Sequence, residues 1–336
     1  MKQVGRELGV HYVLEGSVRK GGNRVRITAQ LIDALAGTHL WADRFDGSIE
    51  DIFDLQDKVA SSVAGVIEPT LQAAEVRRSA ARPTQDLTAY DLYLRALPHW
   101  SSQSHEHTVR ALNLLRQAIE RDPHYAPALA LAAQCHHALE ANGWTNDPET
   151  NRREGVGLAR QAVQFSDKDP SVLGNAAGAL GYFGENIDGA LALIDRSLAL
   201  NPSFAHGWYC SGVLRNWAGQ PDMALTHLET SLRLNPRDRT ARHLTGIGVA
   251  HFLSRRFGDA AARLVESLEE IPTWPVTYRF LAACYAHMGR LDEAREVVER
   301  LRTITTVVVP SATPYRNPDH SELFLSGLRL AAGEAE

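Results

Sequence analysis

The stretch PSFAHGWYCSGVLRNWAGQPDMALTHLETSLRLNP, residues 202–236, decides the fold. It starts and ends with a proline, and between them Ala- and Leu-rich residues recur at helical spacing on either side of a short turn. Proline cannot continue a helical hydrogen-bond ladder and biases its predecessor away from the helical conformation, so Pro202 and Pro236 each follow the end of a helix. The stretch therefore predicts a pair of antiparallel helices.

The spacing of 34 residues between these two prolines recurs along the chain. It also separates three pairs of small residues: Ala190 and Ala224, Gly212 and Gly246, Ala260 and Ala294. This is the period of tetratricopeptide repeats, in which each repeat is a helix pair that stacks on its neighbours. The residues that end the second helix of each pair are Pro123, Asp167, Pro202, Pro236 and Pro272.

Small residues stand in register where the helices of such a fold must cross. The first helices offer Ala133, Ala177, Gly212, Gly246 and Ala282. The second helices offer Gly155, Ala190, Ala224, Ala260 and Ala294, and the contact to the next repeat uses Ala118, Ala162, Ser197, Ser231 and Ser267. Two helices approach closely only where side chains are small, so these columns predict close crossings, for example between Gly212 and Ala224.

The repeat pattern predicts a mostly α fold, a right-handed tetratricopeptide α-solenoid of five or six helix pairs over residues 86–303. We expect the pairs near residues 86–121, 124–166, 170–200, 203–235, 237–271 and 274–303. An insertion at 142–153 and a lengthened turn at 254–256 are expected to be loops. In the tail, residues 304–336, we expect an extended segment at 307–314 and a capping helix at 319–332.

Residues 1–80 follow a different pattern, which predicts a small α+β module with three antiparallel strands. Strands are expected at 12–19, around the alternating residues 25–31, and at 38–45, with a hairpin turn at 20–23. A helix at 3–8 precedes them. After Ser48, a predicted helix cap, apolar residues recur at helical spacing at Ile52, Leu55, Val59, Val63 and Ile67.

This module also resembles a known family. The segment GRELGVHYVLEGSVRKGGNRVRITAQLIDALAGTHLWADRFDGSIEDIFDLQDKVA, residues 5–60, closely resembles the second half of the TolB amino-terminal-like (FlgO-like) domain. The resemblance covers about residues 3–70, and its specific matches are LEGSV at 14–18 and LWADR at 40–44. It implies a bacterial signalling protein in which the module stands between an amino-terminal output domain and tetratricopeptide repeats.

The resemblance implies more about the parent protein. Output domains in this arrangement are often class III adenylate or guanylate cyclases, or winged-helix DNA-binding domains, and the sequence contains neither. Because the family's first strands are missing, we expect a fragment or a late start, with residues 1–80 more protease-sensitive than 200–300. The strand edge left uncovered favours homo-oligomers through the partial sheet.

Composition excludes several classes of function. The chain has 44% hydrophobic and 22% charged residues and a net charge of −5, so we expect a folded chain that does not bind nucleic acid. The cysteines, Cys135, Cys210 and Cys284, form no CxxC pair and predict buried filler in a reducing compartment. No segment has about 18 consecutive apolar residues, so we expect no membrane segment and a cytoplasmic protein.

No catalytic, cofactor or metal motif stands out. The densest histidine groups, His105-Glu106-His107 and His136-His137, lack the i, i+4 spacing that brings two ligands to one point on a helix. The sequence contains no GxSxG, GxxxxGK[ST] or GxGxxG motif. We therefore predict a protein that is not an enzyme, with no catalytic residue, no cofactor and no metal.

The first helices of a tetratricopeptide solenoid line its concave face, and the repeat register places an aromatic and histidine-rich set there. Aromatic anchors are typical of interface centres, so this groove predicts a protein or peptide partner. Histidines titrating near neutral pH would strengthen binding of an acidic partner as the pH falls from about 7.5 to 6. The predicted groove residues are His137, Tyr182, His206, Tyr209, Asn216, Trp217, His243, His251, Arg279 and His287, with Val213 and Ile247 beside them.

The expected function is a protein–protein interaction scaffold, the regulatory and sensory region of a cyclase-like signalling protein. The alternative is the effector region of a winged-helix transcriptional regulator with the same two modules. An enzyme with an unrecognised site would require acid and base residues clustered in one pocket, which the sequence does not suggest. The carboxylate-clamp lysine and asparagine constellation of chaperone-binding relatives is not found either.

Overall fold

The computed structural model describes residues 2–80, 87–184, 186–235 and 241–334. The chain divides into two units, Met1–Ala81 and Arg82–Glu336. The first unit contains α1 (Lys2–Leu8), β1 (Tyr12–Gly21), β2 (Arg24–Asp33), β3 (Thr38–Ser48) and α2 (Ile52–Ala80). Helices fill the second unit, and the predicted fold class is confirmed.

The three strands of the first unit form an antiparallel sheet in the order β1-β2-β3. Gly21 pairs with Arg24, so the first hairpin turn consists of two residues. The first of them, Gly22, has φ +61°, in the left-handed region that glycine adopts without a steric cost. A glycine at this position is what a tight hairpin turn favours.

One face of the sheet packs on α2. Val25, Ala29 and Leu31 alternate toward this face and are buried with Leu55 of α2. A bulge between Leu31 and Ile32 buries both neighbours, which strict alternation would not allow. Ser48 does not cap α2 as predicted. It ends β3, its Oγ accepts a hydrogen bond from the Glu50 amide, and α2 starts only at Ile52.

The second unit is a tetratricopeptide-type solenoid, and its described residues form six helix pairs followed by one more helix. The pairs are α3 (Ala89–Ser101) with α4 (His105–Arg121), α5 (Ala126–Ala141) with α6 (Pro148–Phe165), α7 (Pro170–Tyr182) with α8 (Ile187–Leu200), α9 (Ala205–Trp217) with α10 (Pro221–Leu234), α11 (Ala241–Leu253) with α12 (Phe257–Glu270), and α13 (Pro275–His287) with α14 (Leu291–Arg302). The last helix is α15 (Pro318–Ala332).

The small-residue columns allow the helices of a pair to approach closely. A Cβ atom added to Gly212 would lie 2.6 Å from Leu228 Cγ and 3.1 Å from the Ala224 carbonyl oxygen, so the predicted crossing of Gly212 with Ala224 is confirmed. In the next pair the equivalent residue is Gly248, whose added Cβ would lie 3.3 Å from the Ala260 carbonyl oxygen.

The predicted register was therefore wrong by two residues in the fifth pair. Gly246 faces Leu228 of the preceding pair and not the helix of its own pair. The turn at 254–256 has three residues, like the turns at 218–220 and 288–290, so it is not lengthened. Gly248 follows Gly212 by 36 residues, two more than the 34-residue period.

The insertion predicted as a loop at 142–153 is half helical. Asp147 caps α6 by accepting a hydrogen bond from the Thr150 amide, and Pro148 supplies the preformed φ of a first helical residue. The extra turn of α6 brings Asn151 against α5, where its Oδ1 lies 2.8 Å from Nδ1 of His136 and its Nδ2 donates to the His136 carbonyl. These contacts hold the added turn in place.

Helix α15 packs on the last helix pair, α13 and α14. Phe324 stacks on Phe280 of α13 at a ring-centroid distance of 4.3 Å, and Leu328 is fully buried in the same cluster. Helix α15 lies very close to α13 at Gly327. A Cβ atom there would lie 2.9 Å from the Ala283 Cβ and 2.7 Å from the His287 ring. The segment between α14 and α15 crosses the concave face.

Candidate binding site on the concave face

A cavity of ≈ 190 Å³ lies on the concave face of the solenoid. The first helices of all six pairs line it, and the segment before α15 covers part of it. Among the predicted groove residues, the cavity is lined by His137, Tyr182, His206, Tyr209, Val213, Asn216, Trp217 and Arg279. The first helices of three successive pairs, α5, α7 and α9, contribute all of these except Arg279.

Three rings from these helices meet in what we call the central aromatic cluster, His137, Tyr182 and Trp217. The His137 ring lies 4.3 Å from Tyr182 and 5.5 Å from Trp217, and Tyr182 lies 5.7 Å from Trp217, measured between centroids. The edge-to-face arrangement of the two aromatic residues with each other is a favoured geometry for such rings. One helix of each of three neighbouring repeats therefore contributes one ring.

A second group of rings lies beside the cluster. Tyr209 stacks on His206 at 5.8 Å, and the Arg242 guanidinium lies 5.6 Å from the centre of the Tyr209 ring, within the range of a cation–π interaction. The sequence analysis did not select Arg242. Arg242 stands next to the predicted groove residue His243 in the sequence, and this position is a signal for a side chain near the groove.

Amide side chains supply the polar part of the lining. Gln134 donates through Nε2 to the Asn175 carbonyl at 2.5 Å, and its Oε1 lies 3.0 Å from Nδ1 of His137. The Asn175 Oδ1 lies 3.3 Å from Nε2 of His206, and Asn216 donates to the Gly246 carbonyl at 3.0 Å. Gln134 and Asn175 were missed, because single amides carry no sequence signal that distinguishes a lining residue from a surface residue.

Three histidines of the concave face, His137, His206 and His243, are neutral near pH 7. Burial lowers the pKa of His137 and of His206 to about 3, and that of His243 to about 4. Loss of water penalises the imidazolium form, and no carboxylate compensates for it at these three rings among the described residues. The expectation that groove histidines gain charge between pH 7.5 and 6 was therefore wrong for these residues.

Three predicted groove residues do not line the cavity. His243 is buried between helices, with Nε2 at 2.8 Å from the Ser231 Oγ. His287 is covered by α15, since its Nε2 lies 2.8 Å from the Leu323 carbonyl oxygen and its ring stacks on Phe257. His251 lies at the end of α11 near the charges of Arg256 and Asp259. Ile247, expected beside them, is buried and is also absent from the lining.

Arg279 has a structural role that the sequence did not suggest. It is only 3% exposed, and its guanidinium donates to four backbone carbonyls. They are those of Ala141 at 2.7 Å, Asn142 at 3.3 Å, Val307 at 2.7 Å and Val308 at 3.2 Å. The first two stand at the carboxyl end of α5, where the helix dipole is negative and favours a cation. Arg279 therefore joins the second and the sixth helix pairs.

The segment 304–317, which we call the strap, runs across the concave face from this junction. At one end, Thr305 Oγ1 donates to the Gly143 carbonyl at 3.3 Å. At the other end, the Arg316 amide donates to the Trp217 carbonyl at 2.8 Å, and the Arg316 guanidinium donates to the Gly181 carbonyl at 2.9 Å. The sequence predicted an extended segment at 307–314, but the backbone bends at several of these residues, and the position of the strap in the groove was not predicted.

Tyr315 is the strap's main apolar contact. Its ring lies 6.2 Å from Phe280 and 6.1 Å from Phe324, so it connects the strap to α13 and α15. The residues around it, Thr313 and Pro314, also line the cavity, and so do Val307, Pro310 and Ala312. A chain segment without helix or strand, with a tyrosine and an arginine at its end, thus already lies in the groove.

The described part of the chain contains no group of three or more metal-ligating side chains that could hold an ion. Each cysteine is buried and unpaired, and burial raises the pKa of the Cys210 and Cys284 thiols to about 12. Such thiols are not thiolate nucleophiles at neutral pH. The helices that the structure describes include none long and apolar enough to cross a membrane.

Comparison with known proteins agrees with the repeat architecture. A family model described as tetratricopeptide repeat matches residues 251–305. A curated protein named "Putative adenylate cyclase 3", from Rhizobium meliloti (strain 1021), is 37% identical to this chain over 170 residues. The match covers 51% of this chain and 29% of that protein, so the chain spans less than a third of the relative's length.

Two solved structures are similar in fold. The human IFIT1 dimer with m7Gppp-AAAA has a TM-score of 0.53 and 18% identity, over 64% of this chain and 50% of that one. A monomeric IFIT1 mutant with Gppp-AAAA has a TM-score of 0.55 and 17% identity, over 69% of this chain and 54% of that one. At this level of identity the likeness shows the fold alone.

Proposed function

We propose that this chain is a protein-interaction scaffold and forms the regulatory and sensory region of a bacterial cyclase-type signalling protein. The observation that carries the scaffold proposal is the aromatic lining of the concave face by the first helices of successive pairs, with the strap already in contact with it. The relative named as an adenylate cyclase supports the cyclase link. The resemblance of residues 3–70 to the TolB amino-terminal-like module supports the same arrangement. The proposal assigns no catalysis to residues 1–336.

The partner proposed for the concave face is an extended peptide segment of another protein. The strap indicates the chemistry that the groove accepts, because Arg316 at its carboxyl end donates to the carbonyls of Gly181 and Trp217, at the carboxyl ends of α7 and α9. A partner segment with an aromatic residue followed by an arginine could make the same contacts as Tyr315 and Arg316. The partner would then have to displace the strap.

The test uses the strap itself as the peptide. A labelled synthetic peptide of residues 309–317 is titrated, with fluorescence anisotropy as the readout, into the wild type and into Tyr315→Ala/Arg316→Ala. The double variant weakens the carboxyl-terminal attachment of the strap and should bind the peptide. The wild type should not, because the tethered segment competes at a high effective concentration.

The matched control is Tyr285→Ala/Arg290→Ala. These residues also form a tyrosine–arginine pair, with the guanidinium 4.3 Å from the ring centre, but they do not line the cavity. This variant should behave like the wild type. Failure of Tyr315→Ala/Arg316→Ala to bind the peptide, or equal binding by all three proteins, would contradict the proposed groove. The variants then serve as baits, and host proteins retained by the first but not by the second are the candidate partners.

A further inference from the structure

The cavity under the strap has properties that a peptide groove does not require. Its volume, ≈ 190 Å³, is comparable with an engineered apolar cavity of about 150 Å³ that binds benzene. The central aromatic cluster and Tyr315 of the strap both line it. We propose that this cavity binds a small, neutral molecule with one aromatic ring that carries both a hydrogen-bond donor and an acceptor, as in an aryl amide.

The polar requirement comes from side chains that line the cavity and have unused hydrogen-bonding capacity. Tyr182 and Tyr315 are half-buried lining residues whose hydroxyl groups can each donate and accept a hydrogen bond. The amide oxygens of Asn142 and Asn216 are buried and have no hydrogen-bond partner among the described residues, and each asparagine is at least nine-tenths buried. Buried polar groups are normally paired, so the two amide oxygens favour a ligand with a hydrogen-bond donor, and the tyrosine hydroxyls can donate to its acceptor.

The charges around the cavity favour a neutral ligand. Burial raises the pKa of Tyr182, and the Glu140 carboxylate raises it further while the Arg279 guanidinium lowers it, so charges of both signs act on this lining residue. Arg279 already donates to four carbonyls, and Arg242 lies over the Tyr209 ring. A charged ligand would lose its hydration in an aromatic cavity where the charge of Glu140 opposes those of Arg242 and Arg279, so neither sign of ligand charge meets a field of one sign. This site is distinct from the proposed peptide contact, because it requires the strap in place.

Three probes of similar shape and different charge test the proposal: benzamide, benzoate and benzamidine. Each is titrated into the full chain with tryptophan fluorescence as the readout, since Trp217 lies in the wall. We expect saturable benzamide binding with a Kd at or below about 10 mM, the affinity expected for a ligand of this size. Benzoate and benzamidine should bind at least about tenfold more weakly.

Two variants locate the site. Tyr182→Phe keeps the ring and removes one hydroxyl, so it should weaken benzamide binding about three- to tenfold, whereas Tyr285→Phe, outside the cavity, should have no effect. Ala138→Leu adds bulk to a lining residue and should abolish binding. The absence of saturable binding by the wild type, equal affinity for all three probes, or wild-type affinity in Tyr182→Phe would overturn the proposal. None of these results bears on the strap-peptide titration, so the two proposals fail separately.

Discussion

At the residue scale, three histidines with lowered pKa values make the stability of the solenoid depend on pH. The folded-state pKa values of His137, His206 and His243 lie below the ordinary value of about 6.5. Between the two pKa values the unfolded chain binds more protons than the folded chain, so stability is present above about pH 6.5 and is lost as the pH falls. From pH 7 to 5 we expect a loss of up to about 2 kcal/mol for each of the three.

The measurement is urea unfolding at several pH values, followed by circular dichroism. His137→Gln should reduce the slope of the unfolding free energy against pH in this window, because one proton-binding site of the unfolded chain is removed. His105→Gln, at an exposed position, serves as the control and should leave the slope unchanged. Identical slopes for His137→Gln and the wild type would show that His137 is accessible to protonation in the folded state.

Single residues were predicted well where the repeat fixes their surroundings and poorly where distant segments meet. Gly212 and Ala224 were predicted because the same crossing recurs in each pair. His287 was assigned to an open groove, since nothing in the sequence indicates that α15 covers it. Arg279 was taken for a partner-binding residue, although its hydrogen-bond acceptors lie up to 138 residues away in the chain.

At the element scale, α15 depends on one close contact. An alanine Cβ at Gly327 would lie 2.7 Å from the His287 ring and 2.9 Å from Ala283, closer than side chains normally approach. Gly327→Ala should therefore destabilise the solenoid by about 1–3 kcal/mol, although alanine is the better helix former. Gly157→Ala in α6 is the matched control. It has open space around it and should stabilise by about 0.5–1 kcal/mol. Thermal unfolding of both variants tests the contact, and a stabilised Gly327→Ala would mean that α15 packs elsewhere.

Helical elements with their own periodicity were predictable, and the strap's position was not. Residues 307–314 were predicted to be extended because they lack helical periodicity. Their path across the groove depends on contacts with Arg279 and with carbonyl groups at the ends of α5, α7 and α9. Backbone carbonyls are present in every sequence, so they give no pattern. The same reason explains why the helical half of the 142–153 insertion was missed, since the contacts of Asn151 stabilise it.

At the scale of the whole solenoid, Arg279 and the strap join helix pairs that an open array would keep apart. In open repeat arrays each repeat contacts only its neighbours, so terminal repeats unfold first. Here the guanidinium of α13 binds the end of α5, and Thr305 binds Gly143 beside it. Opening of the last pair must therefore break contacts with the second. We expect α5 and α13 to open in one cooperative step.

Native-state hydrogen exchange measures this cooperativity. In the wild type, the slowest amides of α5 and α13 should report the same opening free energy. Arg279→Met keeps the apolar stem but leaves four carbonyls without their donor, and it should lower stability by about 2–5 kcal/mol. It should also make the two helices open independently, with α13 exchanging through an opening of lower free energy than α5.

Arg295→Met is the control. It removes an arginine whose side chain is 57% exposed in its ion pair with Asp292, and it should change stability by less than about 0.5 kcal/mol. If α13 already opens independently in the wild type, the connection through Arg279 does not contribute to cooperativity, and the strap is only a surface contact.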